Sequence, residues 1–248
     1  MKKFFVLKAV LFTAAALLVV STVSAYVLLS PARTWDSAPT YIVDNRGAAS
    51  ISDNDGGVSA TVNAVTSNSA WNGAGAGRVV NAQSGSVNSW QLGDGTPMLN
   101  FQDPERVCTG SCLAATFTGF YEDRGDGTVR IFDADIVTNT SYSWTSQNEP
   151  DGCSSEFYIE GVMVHEVGHG LGLGHTNVNG ATMYPSVSSC NNGPATIEAD
   201  DAAGINALYG NGGPGGGCSL GQKGDSCTSN AGCCSGKCRG PSGAKTCK

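Results

Sequence analysis

The sequence predicts an α/β (α+β) fold, a layer of strands with helices packed on one side, followed by a small disulfide-rich module. Three observations predict it. Strand-like segments fill the first part of the chain and helix-like segments follow them, which is a mixed layer architecture. The glycine-rich run "GNGGPGGG", Gly210 to Gly217, reads as a flexible linker. Beyond it, six of the ten cysteines crowd the last stretch: Cys218, Cys227, Cys233, Cys234, Cys238 and Cys247. The 248 residues accommodate one medium domain and one small one.

The first segment is expected to be removed. "MKKFFVLKAVLFTAAALLVVSTVSA" carries basic Lys2, Lys3 and Lys8, then an apolar run, then small residues placing cleavage after Ala25. That is a secretory signal over 1–25. The uncharged run continues to about Leu29, so an uncleaved membrane anchor is the alternative. The body is then 26–210, the linker 211–217 and the cysteine-dense module 218–248. Within the body, "PTYIVDN" (39–45) reads as a strand, and "GVSATVNAVTSNSAWN" (57–72) puts Val58, Val62 and Val65 on one helical face. "TPMLNFQD" (96–103), "CLAATFTGFYE" (112–122) and "TVRIFDADIV" (128–137) read as strands bounded by turn residues. "SEFYIEGVMVHEVGHG" (155–170) is apolar nearly all round and reads as a buried helix. "TIEADDAAGINALYG" (196–210) reads as a helix with Thr196 as N-cap, acidic residues in its first turn and Gly210 at its end.

Charge excludes two classes of partner. Without the three leader lysines the formal charge of −7 becomes −10, and residues 218–248 carry +4, leaving −14 on residues 26–217. Such a surface repels nucleic acid and anionic membranes. Ten cysteines, an even number, fit an oxidising compartment, so the protein is expected to be secreted and extracellular.

The chain has only three histidines, all inside "HEVGHGLGLGH". On a helix, residues four apart share a face, so His165 and His169 project together and both can reach one metal at roughly 2.0–2.1 Å. Glu166 points to the adjacent edge of that face, placed to take a proton from metal-bound water without being a ligand. A glycine at 172 permits a positive φ and a sharp turn, which lets His175 return as third ligand. Three neutral imidazoles leave a fourth position open, the mark of a catalytic rather than structural zinc site. A core histidine satisfied by packing is the ordinary alternative for one ring; it does not explain three rings, the glutamate and the glycine together. HExxHxxGxxH is a highly specific pattern.

With "ATMYPS" after it, this stretch resembles the metzincin zinc endopeptidases, and "MYP" is similar to the methionine turn of the matrixin branch. Met183 lies eight residues after His175. The resemblance implies a hydrophobic floor under the zinc from Met183 and a substrate pocket lined by Pro185 and the residues after it, with Tyr184 between them. "DDAAGINALYG" (200–210) resembles the closing helix of the family, and "CLAATFTGFYE" stands where its substrate-pairing edge strand lies. The similarity is strong over about 153–210, looser over 39–152 and absent from the tail. It implies hydrolysis of internal peptide bonds in a protein or peptide substrate, with zinc polarising the scissile carbonyl and Glu166 as general base. We assign the edge to roughly Leu113–Tyr121, an interior strand being the alternative.

The sequence also departs from the family. Matrixins usually carry a second, structural zinc held largely by histidines; none remain, so one zinc is expected. Calcium through Asp133 and Asp135 is a further expectation, with plain surface charge as its alternative. No cysteine between Ala25 and Cys108 corresponds to the family's latency cysteine. The preferred body disulfides are Cys108–Cys112 and Cys153–Cys190, among the three pairings four cysteines allow.

The tail has the spacing C-x8-C-x5-CC-x3-C-x8-C. About thirty residues cannot bury enough apolar surface to fold without cross-links. The pattern resembles inhibitor cystine knots, implying Cys218–Cys234, Cys227–Cys238 and Cys233–Cys247; a zinc cluster is the alternative. Its positive charge beside an acidic body suggests a second binding surface, for an anionic polymer or cell envelope, with a protease-resistant cap as the plainer reading. The whole is expected to be a monomer: a secreted zinc endopeptidase with an accessory knot. The rival is a secreted binding or toxin-like protein in which the knot acts and the body is scaffold.

Overall fold

The computed structural model describes residues 25–74, 80–87, 93–123, 128–210, 238–240 and 245–247. The leader before Ala25, the linker 211–217 and the knot cysteines Cys218, Cys227, Cys233 and Cys234 lie outside the described residues. Within the tail only a backbone pairing is described, β11 (Cys238–Arg239) antiparallel to β12 (Thr246–Cys247).

The body is built on one mixed sheet. After β1 (Val27–Leu28), strands β2 (Ala32–Thr34), β3 (Thr40–Asp44), β4 (Asn81–Gly85) and β5 (Met98–Asn100) all join it in parallel, β3 lying between β4 and β5. The long strand β7 (Thr128–Thr138) takes β2 beside its first residues and β5 beside its last, both parallel. Its other edge carries β6 (Ala114–Asp123), antiparallel, with register shifts after Gly119 and after Tyr121. Among the described residues β6 pairs only with β7, so it is an edge strand.

Helix α1 (Val58–Val65) and helix α2 (Ile159–Gly170) pack on the sheet. Between them they bury Val58, Val65, Ile159, Met163, Val164 and Val167 against Tyr41, Val43, Leu99 and Ile136. Helix α3 (Ala199–Tyr209) closes the domain through Ile205 and Leu208. The end of α2 has its carbonyls satisfied from afar. The Trp35 indole donates to the Gly170 carbonyl at 2.8 Å and the Tyr209 hydroxyl donates to that of Leu171 at 2.7 Å. These are groups a helix terminus cannot pair internally.

Three expectations need correction. The buried helix starts at Ile159 rather than 155, because Phe157–Tyr158 form β9, a parallel bridge to β8 (Trp144–Thr145). The residues before that bridge are held by Glu156, whose carboxylate accepts from the amides of Ser154 and Ser155 at 2.7 and 2.9 Å. The helix expected over 57–72 is two turns long and ends at Val65, where Thr66 turns its hydroxyl back onto the Val62 carbonyl at 2.7 Å. The N-cap of α3 is Glu198, not Thr196; a reciprocal capping box with Asp201 wins, while the Thr196 hydroxyl donates to the Gly193 carbonyl at 3.1 Å.

Tyr209→Phe tests how far α2 depends on its distant caps. The change leaves the Leu171 carbonyl without that donor and the Trp35 amide without the acceptor it has at 3.3 Å. Urea unfolding should show a loss of about 1–3 kcal/mol with an unchanged slope.

Candidate metal centre and its cleft

Helix α2 carries His165, Glu166 and His169, and the chain then reverses. The Gly172 amide donates to the His169 carbonyl at 2.9 Å, and Gly172 itself has φ +105°. A β-carbon there would collide with the backbone carbonyl of Arg33, so both the dihedral and the space call for glycine. Beyond it, β10 (Leu173–Gly174) pairs antiparallel with β1, delivering His175 back over the helix.

The three rings converge. The Nε2 atoms of His165 and His169 lie 3.3 and 3.1 Å from that of His175. Three nitrogens at the corners of a tetrahedron around zinc would be separated by about 3.3–3.4 Å. The residues therefore fit the metal the sequence suggests. Two rings are aimed by their other nitrogen: His165 Nδ1 lies 2.5 Å from the Thr182 carbonyl and His169 Nδ1 2.8 Å from that of Leu173. A carbonyl only accepts, so Nδ1–H donates and Nε2 keeps its lone pair for a metal. Burial lowers the pKa of His169 and His175; Glu166 opposes the shift and the neighbouring rings reinforce it. Low imidazole pKa favours the neutral, ligating form.

Met183 is buried against the helix. Its sulfur and the Trp71 ring occupy the space that a β-carbon on Gly168 would take, so a second glycine permits the close approach. Asp201 anchors this turn. Its buried carboxylate accepts from the amides of Thr182 at 2.7 Å, Met183 at 3.0 Å and Glu198 at 2.9 Å. Sequence reasoning placed Asp201 only as a first-turn charge on α3. The signal that could have found its second role is weak: one acid of a pair, eighteen residues beyond the methionine.

A cleft of about 340 Å³ opens beside the rings. His165, Glu166 and His175 form one end; Tyr184 and Pro185 line it with Leu113 of the segment entering β6. A second opening on the other side of Glu166 is lined by Ala115, Thr116 and Thr118 of β6 with Arg33 and His169. Thr116, which the sequence did not single out, donates its hydroxyl to the Glu166 carboxylate at 2.5 Å. Cys112 lines the cleft and is bridged to Cys108, and a second disulfide joins Cys153 to Cys190, with Cα–Cα distances of 5.4 and 5.5 Å.

Asp133 and Asp135 lie away from the rings, buried in β7. Asp133 accepts from the Gly93 and Gly95 amides at 2.8 and 3.3 Å. Burial, then the charges of Asp133 and Asp94, pushes the Asp135 carboxyl up to about 8. Complete burial rules out the plain surface-charge explanation for this pair.

The Gly172 geometry generates a prediction. Gly172→Ala should cost about 2 kcal/mol or more in chemical denaturation, from the left-handed dihedral and the contact with Arg33. Because the turn places His175, competition with a chromogenic chelator should also show weaker zinc retention.

Residues 108–210 match the family described as Matrixin. The chain is 37% identical over 68 residues to Metalloendoproteinase 4-MMP of Arabidopsis thaliana, covering 27% of this chain and 20% of that protein. It is 30% identical over 129 residues to Metalloendoproteinase 2-MMP of the same plant, covering 45% and 32%, and 42% identical over 60 residues to Matrilysin of Rattus norvegicus, covering 24% and 22%. The chain thus spans a third or less of the length of these relatives. The match to Matrixin and to these relatives supports a metzincin-like catalytic domain.

Proposed function

We propose that the protein is a secreted zinc-dependent endopeptidase, with His165, His169 and His175 holding a single catalytic zinc and Glu166 serving as general base. The observation that carries this reading is the convergence of three Nε2 atoms at 3.1 and 3.3 Å beside a glutamate that lines the cleft. All three histidines of the chain are used there, which supports one zinc rather than two. Bound zinc would supply Lewis acidity to the scissile carbonyl and to the attacking water.

The chain's own groups do the rest. Glu166 takes a proton from the attacking water and delivers it to the leaving amine nitrogen. The edge of β6 that faces away from β7 offers its N–H and C=O groups to an extended peptide, which adds as a further strand. The side chain just past the cut enters the cleft against Tyr184 and Pro185, while Met183 forms the floor under the zinc. Asp133 and Asp135 are the proposed calcium ligands, since a cation would offset two buried carboxylates.

The leader and the two body disulfides support export, with cleavage after Ala25 and a monomeric extracellular product. No helix among the described residues is long and apolar enough to cross a membrane. In the tail the proposed knot pairs Cys218 with Cys234, Cys227 with Cys238 and Cys233 with Cys247, and serves as an accessory module for an anionic polymer or envelope surface.

Glu166→Ala should retain one zinc per chain by elemental analysis yet lose peptide hydrolysis by about a thousandfold. A variant that cleaves an unfolded protein as fast as the parent would overturn the mechanism. Deleting 211–248 should leave small-peptide cleavage intact and reduce action on large or insoluble substrates; loss of small-peptide cleavage would favour the knot as the functional part. Added calcium should raise Tm, and Asp135→Asn should abolish that rise.

A further inference from the structure

We infer that Thr116 is a positioning residue for the general base: its hydroxyl fixes the Glu166 carboxylate against the edge strand that receives substrate. The inference rests on Glu166 acting as that base. The Thr116 Oγ1 lies 2.5 Å from Glu166 Oε2 and 3.0 Å from the Glu166 backbone oxygen. The first separation is that of a charge-assisted O–H···O⁻ bond, and the second is an ordinary one. A hydroxyl has one proton to give, so the carboxylate receives it and the carbonyl is the alternative acceptor.

Two features make this more than a strand-to-helix tie. A glutamate's terminal torsion is broad and roughly two-fold, so an untethered carboxylate would sample many orientations. Among the described residues no other side chain hydrogen-bonds to this carboxylate, and it faces both openings of the cleft. Engagement of Oε2 by Thr116 therefore leaves Oε1 as the oxygen that handles the water's proton. In addition, Thr116 belongs to β6, the strand proposed to pair with the peptide. One strand thereby sets both the register of the substrate and the aim of the base, and an error in one does not accumulate independently of the other. Precise placement of a reacting group is worth orders of magnitude in rate.

The test uses the full chain and a fluorogenic peptide that the parent cleaves. Thr116→Val keeps the shape and β propensity while removing the hydroxyl; Thr116→Ser keeps the hydroxyl. The Val variant should lose about 10- to 100-fold in kcat, with KM, zinc content and product-peptide Kd unchanged. The Ser variant should recover to within about threefold of the parent. In the Glu166→Gln background, Thr116→Val should cost little further. Parental kcat in the Val variant, a loss confined to KM or zinc content, failure of Ser to restore, or a full additional loss in the Gln background would each overturn the role of Thr116. Parental activity of Glu166→Gln alone would instead overturn the underlying base assignment.

Discussion

The structure depends on bringing the Nε2 atoms of His165 and His169 to 3.3 and 3.1 Å from that of His175. An apolar core gains nothing from this: the nitrogens are partly desolvated and cannot all satisfy each other. Holding them there requires fixed partners for the remaining ring nitrogens. The two carbonyls that serve, from Leu173 and Thr182, both come from the chain that follows the helix. The aim of the first two rings is thus set by the same segment that supplies the third.

That segment is in turn pinned from outside. The Thr182 peptide unit offers its oxygen to His165 while its amide donates to Asp201 of α3 at 2.7 Å. Asp201 also holds the Met183 and Glu198 amides, so one buried carboxylate ties the methionine turn to the start of the last helix. Three amide donors compensate the cost of burying its charge. Between α2 and α3, Tyr209 and Trp35 complete the circuit by capping the carbonyls of Leu171 and Gly170. A ring cluster with few polar contacts of its own is therefore held in place because the elements around it are mutually hydrogen-bonded.

The ring cluster was legible in the sequence because helical periodicity and one glycine nearly dictate it. His165 and His169 follow from a spacing of four, and His175 from the φ of +105° that only glycine adopts easily at 172. Strands β3, β6 and β7 were legible from their β-branched and aromatic runs. Strand β4, "NAQSG", was not, because it sits at a sheet edge with little burial, and nothing apolar marks it. The cap of α3 was misplaced because Glu198 and Asp201, three residues apart, form a reciprocal pair that outcompetes Thr196. The start of α2 was misplaced because a bridge to Trp144–Thr145, a partner distant in sequence, overrides local preference. Thr116 was hidden by the same limitation, since its partner lies fifty residues away on another element.

The two disulfides act at different scales. Cys153–Cys190 closes a separation of 37 residues, which on chain-entropy grounds is worth about 4 kcal/mol; Cys108–Cys112 closes only 4, worth about 2 kcal/mol. The longer link spans the lead-in to α2 and the irregular stretch after Pro185, where the Cys190 amide also donates to the Glu156 carbonyl at 2.9 Å. The shorter one shapes the entrance to β6, and there Asn139 of the strand's neighbour holds the Cys112 carbonyl at 2.7 Å. Both stretches are largely irregular, and Cys112, Ser186 and Val187 from them line the cleft. Covalent links thus occur where the walls of the cleft lack regular secondary structure, while helix α2 between them is held by packing and by the distant donors on its last carbonyls.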